Sequence, residues 1–162
     1  MQIDGKDAQI LALIQVDNRL TAAQIGDQIG LSHTAVMRRL KRLRERAVIT
    51  AEVAVVSAAA VGYPIRVNIS CSIGRENPDT YRQFTEALRS DPAVISADCV
   101  MGKADFTFTV VARSMEAFAE LVRRYTEAFP SMTNLTSFAV LEEIKRGLVI
   151  PVEATRPKRT KT

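Results

Sequence analysis

The segment Thr21–Arg46, TAAQIGDQIGLSHTAVMRRLKRLRER, decides the fold of the N-terminal part of the chain. It reads as two helices joined by a tight turn. Thr21 and Gln24 have the spacing of a capping box at the start of the first helix. Gly30 stands where this helix must end, because glycine adopts left-handed dihedral angles without a Cβ clash. Ser32 is placed to cap the second helix, so the segment predicts a helix-turn-helix.

The second helix of this segment has one apolar and one basic face. Its apolar residues recur at the helical period and predict a buried stripe of Val36, Leu40 and Leu43. At about 100° per residue, the outward face carries Thr34, Arg38, Lys41 and Arg42. A basic face can be merely solvated. Together with the capping box and the turn glycine, however, it favours entry of this helix into the major groove of double-stranded DNA.

Composition limits the other classes of function. The net charge of +4 is uneven: residues 1–60 carry 8 Lys and Arg against 6 Asp and Glu, residues 61–152 carry 10 against 11, and the last ten carry 4 against 1. Cys71 and Cys99 lack partners at metal-ligand spacing, and no apolar run is long enough to span a membrane. No catalytic triad or glycine-rich phosphate loop is present. We therefore expect a cytoplasmic protein that is not an enzyme and has no membrane contact, metal or cofactor.

Four regions are expected along the 162 residues. Residues 1–50 form the helix-turn-helix domain, with a first helix capped by Asp4. Residues 51–63 form a connecting strand and hinge, because the β-branched stretch Val48–Val56 predicts an extended segment leaving the winged DNA-binding unit. Residues 64–152 form a second domain. Residues 153–162 are a basic tail that we expect to be disordered, with a supplementary phosphate contact as an alternative.

The second domain alternates strands and helices. From Pro64 the apolar residues recur every second position, which indicates a strand with one buried face. The following segments predict a helix starting at Asn77-Pro78, a strand at Val94–Met101, a turn at Gly102–Asp105, a strand from Phe106, a helix capped by Ser114, and a last strand at Leu135–Leu141. The order βαββαβ is that of a ferredoxin-like domain, so the fold class is α+β.

The last predicted strand carries apolar residues on both faces. Leu135, Ala139 and Leu141 lie on one side, and Phe138 and Val140 on the other. In the ferredoxin-like arrangement both helices cover one face of the sheet. The second face is therefore expected to be buried against another copy of the chain, giving a homodimer.

A basic helix-turn-helix followed by a βαββαβ domain resembles the leucine-responsive regulatory protein/AsnC family of transcription regulators. The resemblance covers roughly Ile3 to Val152. It is carried by the opening IDGKDAQILALIQVDNRLTAAQIGDQIGLS, the segment SHTAVMRRLKRL, the following VI, and IKRGLVIP near the end. It implies a dimer joined through its sheets, further assembly into tetramers or octamers, and a small amino-acid effector that changes DNA affinity or assembly.

The resemblance also implies positions for the two sites. The DNA-facing positions match Ser32, His33, Thr34, Arg38 and Arg39. From the helical angles we expect Thr34 and Arg38 at base edges, and Arg39 and Arg42 at phosphates, with Lys41 on the same basic face. The effector-sensing turn of the family, typically Gly-Asp-Tyr-Asp, is Gly102-Lys103-Ala104-Asp105 here, and Asp105 keeps a carboxylate suited to an α-amino group.

Four further points accompany the resemblance. Thr136 and Ser137 match a hydroxyl pair near the family's pocket, although ordinary strand polarity explains them equally well. Ala47 replaces the glycine that usually ends the recognition helix, so we expect that helix to run slightly longer. The altered turn leaves open a ligand-independent architectural protein that wraps DNA. An enzyme resembling sirohaem decarboxylases is the remote alternative, disfavoured because the only histidine lies in the DNA-binding unit and tryptophan is absent.

Overall fold

Three helices, followed by a four-stranded antiparallel sheet with two further helices, make up the computed structural model of residues 3–74, 78–147 and 149–154. The chain divides into two units. One contains the residues up to Ala54 together with the segment from Lys145, and the other is Val55–Ile144. The fold class predicted from the sequence, a helix-turn-helix followed by a ferredoxin-like βαββαβ domain, is confirmed.

The first unit contains α1 (Gly5–Val16), α2 (Ala22–Ile29) and α3 (His33–Glu45). Its core consists of buried apolar residues from all three helices: Ile10, Leu11, Ala22, Ile25, Val36, Leu40 and Leu43. The last three of these are the stripe predicted for the second helix of the helix-turn-helix. The amphipathic pattern therefore fixes which face of α3 packs and which faces solvent.

The predicted caps of the helix-turn-helix are confirmed. The Thr21 hydroxyl accepts from the Gln24 N–H at 3.2 Å, and the Gln24 side chain accepts from the Thr21 N–H at 2.8 Å. Gly30 ends α2 in the left-handed region, with φ 68° and ψ 47°. The Ser32 hydroxyl accepts from the Ala35 N–H at 3.2 Å at the start of α3. Each cap satisfies a backbone group that the helix end would otherwise leave unpaired.

The turn between α2 and α3 also depends on Gly26. The Leu31 N–H donates to the Gly26 carbonyl at 3.0 Å, which brings the turn back against α2. A Cβ at Gly26 would lie 2.4 Å from the Leu31 carbonyl oxygen. Since that oxygen belongs to the backbone, no side-chain rotation can relieve the clash, and the turn requires glycine at this position.

The expectation that α3 runs slightly longer because alanine occupies position 47 is wrong. The helix ends at Glu45, and Ala47 takes a left-handed φ of 51°. The Ala47 N–H donates to the Arg44 carbonyl at 2.9 Å, and the Val48 N–H donates to the Leu43 carbonyl at 2.9 Å. These are the two hydrogen bonds of a Schellman motif, and Val48 packs with Leu43 in the same core. The motif ends the helix even though alanine occupies the position that favours glycine.

The stretch expected to be a strand after α3, Val48–Val56, has no strand assignment. Val48 and Ile49 pack against the helical core, and Glu52 forms an ion pair with Arg44 at 2.7 Å. Val53, Val55 and Val56 are exposed. The β-branched composition predicted an extended chain, but a strand also needs a neighbouring strand to hydrogen-bond with, and the described residues supply none here.

The second unit ends earlier in the chain than the expected domain boundary. We expected residues 64–152 to form one domain, whereas the segment from Lys145 lies with the helical unit. The Gln15 side chain donates to the Ile150 carbonyl at 3.1 Å and accepts from its N–H at 2.8 Å, and Val152 packs against the helical core. Most of the basic tail, residues 155–162, and the expected helix cap Asn77 lie outside the described residues.

The second unit is built from four strands and two helices. Their bounds are β1 (Ile65–Ile73), α4 (Pro78–Ser90), β2 (Val94–Cys99), β3 (Phe106–Ala112), α5 (Met115–Ala128) and β4 (Met132–Ala139). The strand order is β2-β3-β1-β4, and every pair is antiparallel. The start of β4 was predicted three residues too late. Asn134 has a positive φ of 54° beside a register shift, and the ladder resumes beyond it with Thr133 and Met132.

One face of the sheet packs against α4 and α5. Its core includes alternate residues of β1 and β3 with the helix residues that cover them: Val67, Ile69, Cys71, Ile73, Phe84, Leu88, Phe106, Phe108, Val110, Leu121 and Tyr125. Phe84 is the centre of an aromatic cluster, with ring centroids 5.0 Å from Phe106 and 5.0 Å from Phe129. Neither α4 nor α5 covers the other face of the sheet, which we call the open face.

Candidate functional site

The outward face of α3 carries five of the predicted DNA-facing residues. Ser32, His33, Thr34, Arg38 and Lys41 are all exposed. Arg38 forms no ion pair or side-chain hydrogen bond within the described residues, and Lys41 has only a distant i,i+4 contact with Glu45 at 3.8 Å. Both cations are therefore presented to solvent. Thr34, Arg38 and Lys41 share the outward face of α3, as the helical period predicts, and Ser32 and His33 lie at the start of the helix.

Arg39 and Arg42 of α3 lie elsewhere. Arg39 donates to Asp7 Oδ1 at 2.8 Å and to Asp4 at 2.6 Å, and Arg42 donates to Asp7 Oδ2 at 2.6 Å. The Asp7 side chain is fully buried, and the Arg39 side chain is only 20% exposed. The carboxylates of Asp4 and Asp7 already hold both guanidinium groups. A phosphate contact by Arg39 or Arg42 stays a prediction, and it would compete with these bonds.

We call Asp4, Asp7, Arg39 and Arg42 the acidic–arginine cluster. Asp4 and Asp7 also cap α1: the Asp7 N–H donates to Asp4 Oδ1 at 2.8 Å, and the Asp4 N–H donates to Asp7 Oδ2 at 3.3 Å. The hydrogen bond from Arg39 is the main cause that lowers the pKa of Asp4, and the same bond raises the pKa of Arg39. The cluster therefore joins the start of α1 to the inward side of α3.

The turn predicted to sense an effector follows β2. Gly102 and Lys103 are exposed, and Ala104 and Asp105 are half-buried. The Asp105 N–H donates to the Cys71 carbonyl at 3.0 Å, and Asp105 Oδ2 accepts from the Ile73 N–H at 3.2 Å. The carboxylate proposed to hold an α-amino group thus also fastens the turn to the end of β1.

Thr136 and Ser137 do not form a pair on one surface. Thr136 is opposite Ser70, on the open face, and Ser137 is opposite Ile69, on the face that bears the helices. Neighbouring residues of a strand point to opposite faces. The two also lie on β4, which is separated from β3 and its turn by β1, a distance of roughly 10 Å at the usual strand spacing. A pocket within one chain can therefore use only one of these hydroxyl groups beside Asp105.

The open face has a polar centre that the sequence pattern did not bring out. A shallow cavity of about 320 Å³ is lined there by Asn68, Ser70, Ser96, Asp98, Thr107, Thr109 and Phe138, with two core residues beneath. The Thr109 hydroxyl donates to the Asn68 side chain at 3.0 Å. Phe138 is 59% exposed at the β4 edge. The sequence pattern does not give the register between strands. This register brings together side chains that are far apart in the sequence.

The two cysteines differ in environment. Cys71 is buried in the sheet core, and desolvation, followed by the nearby Asp105 charge, raises the pKa of its thiol to about 11. Cys99 is exposed on the edge strand β2, with its sulfur 2.8 Å from the Tyr81 hydroxyl. In the described part of the chain, no three His, Cys, Asp or Glu side chains are placed to hold a metal ion, and no helix is long and apolar enough to cross a membrane.

Comparison with known proteins agrees with this geometry. The model of the AsnC-type helix-turn-helix domain matches residues 3–44, and that of the Lrp/AsnC ligand binding domain matches residues 67–150, slightly more than half of the chain. An uncharacterized HTH-type transcriptional regulator of Sinorhizobium fredii is 36% identical over 94% of this chain and 90% of its own length. The leucine-responsive regulatory protein of Rhizobium meliloti is 25% identical over 94% of this chain and 97% of its own.

Solved structures show the same two-unit fold. A transcriptional regulator of Neisseria meningitidis in complex with L-Met superposes with a TM-score of 0.85 at 28% identity, covering 91% of this chain and 96% of that one. The similarity thus extends over both units of the fold and includes a relative that was crystallised with an amino acid.

Proposed function

Since the chain belongs to the Lrp/AsnC family and is a transcriptional regulator with a ligand-binding domain, we propose that it binds a specific DNA sequence and that a small amino acid controls this binding. The observation that carries the DNA half is the outward face of α3, where Arg38 and Lys41 stand exposed beside Thr34. The observation that supports the effector half is the relative in complex with L-Met.

In this proposal α3 enters the major groove with its N-terminal end closest to the bases. Thr34 and Arg38 contact base edges, because a guanidinium can donate two hydrogen bonds to one guanine. Ser32 and His33 contact the DNA at the start of the helix, and Lys41 neutralises a phosphate. Arg39 and Arg42 are no longer part of the proposed contact set.

The effector site is proposed at the turn Gly102–Asp105. An α-ammonium group would pair with the Asp105 carboxylate, which lies half-buried and so is less screened than a surface charge. Lys103 supplies a cation for an α-carboxylate. Thr136 and Ser137 remain candidates only as separate contacts, one on each face of the sheet, so a pocket at the turn would use at most one of them.

We propose a homodimer through the open face, with assembly to tetramers or octamers. Phe138 and Val140 supply apolar contact along the β4 edge, and covering them removes exposed apolar surface from water. In an isologous interface each contact occurs twice, so one exposed Phe138 per chain gives two buried anchors per dimer. The polar centre of the face stays hydrated in this arrangement.

The test is fluorescence anisotropy at fixed salt. The probe is the intergenic fragment beside the protein's own gene, with a scrambled fragment of the same composition as the control and each amino acid added in turn. Tighter binding to the intergenic fragment, shifted by one amino acid, supports the proposal. Equal binding to both fragments contradicts sequence specificity, and the absence of any amino-acid effect contradicts the effector half.

A second candidate is a ligand-independent architectural protein. It is favoured by two observations: Lys103 and Ala104 depart from the family's sensing turn, and the Asp105 carboxylate already accepts a hydrogen bond from the Ile73 N–H. Such a protein would bind both fragments alike, with a steep salt dependence, and no amino acid would change its affinity.

A further inference from the structure

We propose that Asp7 is a positioning residue that sets DNA specificity by withholding Arg39 and Arg42 from the DNA backbone. This inference rests on the proposed DNA-binding function. Asp7 touches no DNA in the proposed complex. It acts through the two arginines of α3 that it holds, and so determines which cations the recognition helix can offer.

The Asp7 carboxylate binds two cations at once. Its side chain is fully buried on α1, and each oxygen accepts from a different arginine, at 2.8 Å from Arg39 and 2.6 Å from Arg42. The two arginines lie 32 and 35 residues along the chain. Charge-assisted hydrogen bonds to a buried carboxylate are strong and directional, so both guanidinium groups are fixed toward α1.

The cluster is balanced in charge. Asp4 and Asp7 supply two negative charges, and Arg39 and Arg42 supply two positive ones. The Arg42 Nε is buried without a hydrogen-bond partner in the described residues. The bond between Arg42 and Asp7 therefore forms at the cost of one unsatisfied donor. Moving either arginine to a phosphate would leave the fully buried Asp7 carboxylate short of a cation, which is costly.

The consequence concerns the balance between specific and non-specific binding. Each phosphate that a cation neutralises steepens the dependence of log K on log salt by about 0.9 and strengthens binding to any sequence. Two further arginines at the backbone would therefore raise affinity for all DNA alike. By holding them, Asp7 leaves Arg38 and Lys41 as the cations beside Thr34 on the outward face of α3, and a larger share of the binding comes from base contacts.

The first variant to test is Asp7→Asn, which keeps the size of the side chain and one acceptor but removes the charge. We expect tighter binding to a short duplex of arbitrary sequence, a salt slope steeper by about 0.9 to 1.8, and a smaller preference for the intergenic fragment. Affinity is measured by fluorescence anisotropy across a salt series, and circular dichroism records whether the helical unit stays folded.

Three matched control variants separate charge release from general loosening of the fold. Adding Arg42→Gln to Asp7→Asn restores the neutral balance of the cluster, and we expect the salt slope to return toward that of the native protein. In the native background, Arg39→Gln should leave the slope unchanged, whereas Arg38→Gln, on the adjacent outward position, should alter sequence preference. The single arginine variants keep the test valid should Asp7→Asn unfold.

Three outcomes would overturn the inference. A salt slope unchanged by Asp7→Asn in a folded protein would show that the arginines are not released to the backbone. A slope lowered by about 0.9 in Arg39→Gln would show that Arg39 already contacts a phosphate in the native complex. Absence of DNA binding by the native protein would instead remove the proposed function and this inference together.

Discussion

Replacing Ala47 by glycine should stabilise the helical unit. Ala47 ends α3 in a left-handed conformation, with φ 51°, which costs an L-residue other than glycine roughly 1–2 kcal/mol. Glycine removes this cost but adds freedom to the unfolded chain, worth roughly 0.4–1 kcal/mol. Ala47 is exposed, so no packing is lost. Taking the middle of each range, the expected net gain in the free energy of unfolding is about 0.8 kcal/mol.

The assay is guanidinium denaturation followed by circular dichroism, with the transition of the helical unit fitted separately if two transitions are resolved. The matched control is Ala12→Gly, the same chemical change at an exposed position inside α1, where it should destabilise by about 1 kcal/mol. If Ala47→Gly is neutral, or destabilises as Ala12→Gly does, then backbone strain at the end of α3 is not real and the reasoning fails.

Three other substitutions test separate parts of the account. Gly26→Ala should destabilise the helical unit by about 1–3 kcal/mol or more, because its Cβ would meet the Leu31 carbonyl, and a melting temperature equal to that of the native protein would contradict the tight turn. Arg38→Ala should weaken binding to the intergenic fragment by about 1–3 kcal/mol and relax sequence preference in an anisotropy titration, whereas a uniform loss on all DNA would place Arg38 on a phosphate. Asp105→Asn keeps an acceptor for the Ile73 N–H but removes the charge, so basal DNA binding should persist while the amino-acid response is lost. An unchanged response would place the pocket elsewhere.

The parts of the fold that local rules determine could be predicted from the sequence. The capping pair Thr21 and Gln24, the left-handed Gly30 and the cap Ser32 each act within a few residues, so their spacing alone identifies the helix-turn-helix. The βαββαβ order follows in the same way from changes of period along the chain. These predictions do not depend on which helices and strands pack against each other.

The parts that failed depend on partners distant in the sequence. A helical wheel places Arg42 outward, but it cannot show Asp7, 35 residues away, which draws the guanidinium inward. Thr136 and Ser137 look like a pair in the sequence, and only the strand register shows that they face opposite sides of the sheet. The segment near Ile150 packs with α1 through Gln15, a contact that no periodicity signals.

The most direct test of the central claim is a structure of the protein bound to the intergenic fragment. The account predicts α3 in the major groove, with Thr34 and Arg38 at base edges and Arg39 and Arg42 still bonded to Asp7. A complex in which α3 lies outside the groove, or in which Arg39 and Arg42 have left Asp7 for phosphates, would contradict it.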